Sequence, residues 1–159
     1  MGTARAELLI PVLAIRAMAN RERGPVAPLV VERVQFGAAR MTLLVRMAPE
    51  AQTTTAQLVQ RLLHRYPDLP HHACVNDEGP YFAAVMDHTG MAHLLEHLII
   101  SQQLRLLPDA EPAPVLCGST AWVCRAEGRA RIEVSFVDDI IALQALRNAL
   151  ADLFACFSE

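Results

Sequence analysis

Residues 90–103, GMAHLLEHLIISQQ, set His93, Glu96 and His97 into an otherwise apolar run. At about 100° per residue, a helix puts all three on one arc with Ile100 and Leu104, while Leu94, Leu95 and Leu98 take the opposite side. A helix that is apolar on both sides is buried, so the polar group must be paired, neutral or bound to an ion. Histidines four residues apart present imidazoles on adjacent turns, a spacing that suits zinc or another divalent metal with nitrogen ligands at about 2.0–2.1 Å. His93 and His97 are thus the candidate metal ligands. Glu96 is the candidate catalytic base, placed to take a proton from water that the ion activates. The competing reading is a pair of core histidines bonded to carbonyl oxygens, and the spacing alone does not choose.

The elements around this helix follow from pattern. Residues 8–15, 29–36 and 40–47 have the apolar content of strands, and Pro25 and Pro28 interrupt any regular structure between the first two. Thr53, Thr54 and Thr55 offer caps for a helix to about Arg65 with Leu58, Leu62 and Leu63 inward. Residues 68–80, DLPHHACVNDEGP, form a polar loop, and residues 81–86 a short strand or extended connection. Asp87 and Thr89 offer N-cap oxygens to the histidine helix, which runs to about Leu106. Strands at 119–126 and 130–137 meet at a Glu127-Gly128 turn. Asp138 and Asp139 then suit the positive end of a last helix reaching about Phe157. This order predicts an α+β fold, an antiparallel sheet covered on one face by about three helices.

The 159 residues fit one domain, 1–159, with enough chain for a core without staples. Hydrophobic residues make up 53% and charged residues 19%, a balance that points to a thick core or a homo-oligomer interface. The net charge is −3 with scattered arginines, which argues against nucleic acid. No run is long enough to predict a bilayer span. Glu7, Pro11 and Arg16 interrupt the N-terminal apolar run, so it is expected to be a strand rather than a leader. Cys74, Cys117, Cys124 and Cys156 lack C-x-x-C spacing, which fits reduced thiols and a cytoplasmic location.

The H-x-x-E-H order of the helix is that of the inverzincins. Residues 89–103, TGMAHLLEHLIISQQ, resemble a helix in the N-terminal domain of cyanophycin synthetases. The loop Pro67-Asp68-Leu69-Pro70-His71-His72-Ala73-Cys74 is similar to that domain's "P-x-L…H-x-C" segment, and Phe136-Val137-Asp138-Asp139 with its helix to the domain's close. The likeness spans most of residues 40–157. The helix phrase also looks like the active-site helix of pitrilysin-type peptidases and of S-ribosylhomocysteine lyases. These resemblances imply a metallohydrolase-like fold, His93 and His97 as ligands and Glu96 as base.

A third ligand is the open position. The cyanophycin-type helix often carries a glutamate where this chain has Ser101, and the lyases use a cysteine. Cys117, Cys74, His88, His72 and Glu133 are the substitutes in sequence; Cys117, Glu133 and His88 are carried forward as third ligand or catalytic group, and His72 as a substrate contact. No G-x-x-x-x-G-K-[ST] stretch is present, so the resemblance is to the isolated N-terminal module without its ligase.

Three functions are expected to compete. The first is a metal-dependent hydrolase of a peptide or isopeptide bond in a cyanophycin-like polyamide. The second is a non-catalytic binding or assembly module that partners a separate ligase. The third is a lyase-type enzyme using Cys117.

Overall fold

The computed structural model describes residues 27–109 and 112–158. The strand expected at 8–15 lies outside them. Strand β1 (Leu29–Phe36) pairs with β2 (Arg40–Met47), and β3 (Gly118–Cys124) with β4 (Arg129–Ser135), all antiparallel. β2 and β4 join the two hairpins into one four-stranded sheet of order β1-β2-β4-β3. Alternation sorts the faces. Met41, Leu43, Val45 and Met47 of β2 and Ala130, Ile132 and Val134 of β4 are buried, and the residues between them face away. The turn before β4 needs Gly128, whose φ is +66° and which sits so close to the Met47 carbonyl that a Cβ would lie 2.5 Å from its oxygen.

Among the described residues, three α-helices complete an α+β architecture. Helix α1 (Ala56–Leu63) starts at Thr55, whose Oγ1 accepts from the Leu58 N–H at 3.3 Å, and buries Leu58, Val59 and Leu62. Helix α2 (Met91–Leu106) lies against β2, β3 and β4 and is buried nearly all round; His93 and its last three residues escape full burial. Helix α3 (Asp139–Ser158) packs on α2 and α1 through Ala142, Ala145, Leu146, Ala149 and Leu153. Asp138 caps it, accepting from the Ile141 N–H at 2.8 Å.

Two local expectations are corrected. Residues 81–86 are neither strand nor extended throughout: Phe82–Ala84 is a 3-10 turn that sinks the Phe82 ring completely into the core. The N-cap of α2 is Gly90, with no side-chain cap, and Thr89 is used elsewhere, as described below. The loop before them is ordered, with a 3-10 turn at Leu69–His71 and a bridge between Ala73 and Tyr81.

Candidate metal centre

His93 and His97 occupy successive turns of α2, and their Nε2 atoms face each other at 3.2 Å. The loop supplies a third donor. His72 leaves the 3-10 turn in extended conformation, and side chains two apart on an extended segment share a side, so His72 and Cys74 both turn toward α2. Cys74 Sγ lies 3.4 Å from His93 Nε2, and ligand atoms of Cys74, His93 and His97 all fall within 4.8 Å of one another. Asn76 shapes the loop beyond: its Oδ1 accepts from the N–H groups of Glu78 and Gly79 at 2.8 Å, and its Nδ2 donates to the Cys74 carbonyl at 3.2 Å.

The spacing fits one tetrahedral ion. Bonds of about 2.0–2.1 Å to nitrogen and 2.3 Å to sulfur imply N···N edges of about 3.3 Å and N···S edges of about 3.5 Å. Two of the three edges, His93–His97 and Cys74–His93, are 3.2 and 3.4 Å, and the Cys74–His97 edge lies within 4.8 Å. Two imidazoles and a thiolate are a borderline-soft set suited to zinc.

The outward nitrogens are held as well. Thr89 Oγ1 lies 2.9 Å from His93 Nδ1, and His72 Nδ1 lies 3.2 Å from His97 Nδ1. Phe82 stacks on His97 with centroids 3.9 Å apart and meets His93 edge-on at 5.1 Å, walling the cluster with hydrocarbon. Burial holds His97 well below the usual imidazole range, at about 3, and charge on His93 or His72 would push it further down. Burial lowers His93 too. Both rings are therefore neutral near pH 7, as ligation requires. Burial raises the Cys74 thiol, which the bond from Asn76 partly offsets and the nearby Glu96 charge reinforces.

Glu96 is 4% exposed and turns toward β3. Its Oε2 accepts from Thr120 Oγ1 at 2.6 Å, and its carboxyl lies on Gly118, where an added Cβ would fall 2.5 Å from Oε1. Burial raises its pKa to about 6, with the Thr120 bond pulling the other way. The carboxyl thus sits between the histidine helix and β3, with a proton affinity raised by burial to about 6.

The remaining expected residues lie apart from this group. His88 is exposed and engages Asp87 and Glu78. Glu133 sits on β4 between Ile132 and Val134, which face the core, so the pleat turns it to the sheet's other side, where Arg131 lies 3.6 Å away. Cys117 is exposed at the start of β3, its N–H donating to Ser135 Oγ at 2.8 Å. Ser101, in the place of the expected glutamate, donates to Asp68 Oδ2 at 2.6 Å. Cys74 is the third donor that the structure brings beside His93 and His97, and the H-x-C spacing was its trace in sequence.

Comparisons with known proteins return no matching family model, no similar curated protein and no similar solved structure. The likeness to cyanophycin synthetase rests on the residues quoted above.

Proposed function

We propose that this protein is a metal-dependent hydrolase of a peptide or isopeptide bond, with a cyanophycin-like polyamide as its substrate class. Cys74, His93 and His97 would hold the ion, zinc or another divalent metal, and Glu96 would act as base. The convergence of one thiol and two imidazoles, their ligand atoms within 4.8 Å of one another, on the helix that also carries a buried carboxyl is the observation that supports it. A bound ion supplies Lewis acidity toward a carbonyl oxygen and makes water a nucleophile near neutral pH. Glu96 contributes the proton steps. With a pKa near 6 it is ionised at pH 7 yet still basic enough to take a proton from attacking water, and the resulting acid can deliver that proton to the leaving amine. Thr120 fixes the carboxyl's direction, and Phe82 screens His97 on one ring face.

A second reading, the non-catalytic binding or assembly module, draws on one observation. The ring nitrogens of His72, His93 and His97 already find partners within the protein, so the cluster does not need an ion for its hydrogen bonds. Protein purified without chelator or a nickel column decides between them. The hydrolase reading expects about one zinc per chain, lost in His93→Ala, and release of product from the polyamide. Glu96→Gln should retain the metal and lose turnover by roughly 10²–10⁴-fold. Metal-free wild-type protein of unchanged stability supports the module, and full turnover in Glu96→Gln rejects the base assignment.

A further inference from the structure

Behind the two histidines runs a second line of polar side chains that the proposed reaction does not use. Asp68 precedes the Leu69–His71 turn and His72 follows it, so they meet four residues apart, His72 Nε2 lying 3.0 Å from Asp68 Oδ2. Two residues of α2 complete the carboxylate's surroundings. Ser101 Oγ donates to Oδ2 at 2.6 Å, and Arg105 Nη2 donates to Oδ1 at 2.7 Å. Burial alone would raise the Asp68 pKa, but the bonds from Ser101, His72 and Arg105 together bring it to about 2. It is an anion at neutral pH, and a carboxylate anion only accepts.

That fact sets the direction of the first bond inward. His72 donates from Nε2 to Asp68, and in the tautomer that carries its one proton there Nδ1 is an acceptor. His97 Nδ1, 3.2 Å away, must then carry the proton. The His97 lone pair is left on Nε2, the atom that faces His93 and Cys74.

We infer that Asp68 and His72 are positioning residues of the metal centre, a carboxylate–histidine relay that locks His97 in the tautomer and orientation able to bind an ion. This rests on the metal reading proposed above. It gives His72 a role different from the expected substrate contact, in keeping with a side chain only 13% exposed. It also accounts for Ser101: a glutamate ligand is absent there, and the hydroxyl instead steadies the acid that steadies the ligand.

The inference makes a specific demand on Asp68→Asn. An amide can donate to His72 Nε2, which permits the reverse chain of bonds, with His72 Nδ1–H pointing at His97 and the His97 proton moved to Nε2. The test is titration of apo protein with Co²⁺ near neutral pH, following the thiolate-to-cobalt charge-transfer band and the intense visible bands of a tetrahedral ion. Asp68→Asn should bind about 10–100-fold more weakly than wild type, the range for loss of a group that orients a ligand. At saturation the thiolate band should remain, because Cys74 is intact. His72→Leu should lose as much, and His72→Gln should recover most of the affinity, since its amide oxygen can accept from His97 Nδ1. Thermal unfolding of the metal-free variants checks that they fold; should Asp68→Asn not fold, the Leu and Gln pair at position 72 decides. If wild type binds cobalt and both Asp68→Asn and His72→Leu match it, the relay is overturned while the metal centre stands. A wild type that takes up no cobalt overturns the metal centre itself, and the relay with it.

Discussion

The position of the Glu96 carboxyl depends on a residue that does no chemistry. Gly118 lies against it so closely that a methyl group would fall 2.5–2.7 Å from Oε1, Cγ and Cδ. Backbone on the strand side cannot yield, so the carboxyl must, and the 2.6 Å bond to Thr120 goes with it. Gly118→Ala is therefore expected to leave zinc stoichiometry unchanged and to lower kcat by about 10²-fold, the scale of a misplacement of roughly 1 Å. Metal analysis beside a turnover assay checks this; wild-type kcat in Gly118→Ala would remove Glu96 from the reaction as described. At this scale the sequence was legible wherever one helix fixed the geometry. His93, Glu96 and His97 share one helix, and the structure turns the imidazoles to the 72–74 loop and the carboxyl to β3. Cys74 reaches the same place from a loop, by a path that no periodicity encodes. Cys117 and Glu133 appear as good in composition, but strand alternation and exposure turn them elsewhere.

Among the elements, the four described strands and three described helices followed from alternation and periodicity, and the caps of α1 and α3 from Thr55 and Asp138, because each of those signals is local. Where a tertiary contact set the conformation, local pattern failed. Phe82 folds into a 3-10 turn to bring its ring onto His97, and Thr89 spends its hydroxyl on His93 rather than on capping α2. The loop between Cys74 and Tyr81 is the element on which the third ligand depends. Its turn is closed by Asn76, which accepts two backbone N–H groups and donates to the Cys74 carbonyl. Asn76→Ala leaves those donors to water and frees Cys74 to wander. The bond to the Cys74 carbonyl is the one that bears on the ligand; at about 0.5–1.5 kcal/mol, its loss should lower zinc affinity by up to about tenfold. The turn that Asn76 closes is largely solvent-facing, with Val75, Asp77 and Glu78 exposed, so the urea midpoint of the metal-free protein should change little. A large fall in that midpoint with unaltered zinc affinity would show that the turn serves the fold instead of the ligand.

For the molecule as a whole, the main question is how a loop is tied to a core. Among the described helices, α3 is long and apolar enough to cross a membrane by length and composition, yet its alanines and leucines are the surface on which α2 rests. Behind that pair, Tyr66 donates to Asp152 at 2.7 Å and Gln102 donates to Tyr66 at 2.7 Å, joining the end of α1's segment to α2 and α3. The histidines thus belong to a helix of the packed core, and Cys74 to a loop whose backbone is tied back on itself by the Ala73–Tyr81 bridge and by bonds from Cys74 N–H to Pro80 and from Phe82 N–H to His72. An ion shared between them would staple the two, and the unfolded chain offers no such arrangement. Zinc at about 100 times its Kd should then add about 2.7 kcal/mol. With roughly 2–4 °C per kcal/mol for a chain near this size, the melting temperature should rise by about 5–10 °C and fall back on adding chelator. His93→Ala should show no such rise. An equal rise in that variant would place the bound zinc elsewhere on the surface, and the loop and helix would then be joined by their hydrogen bonds alone.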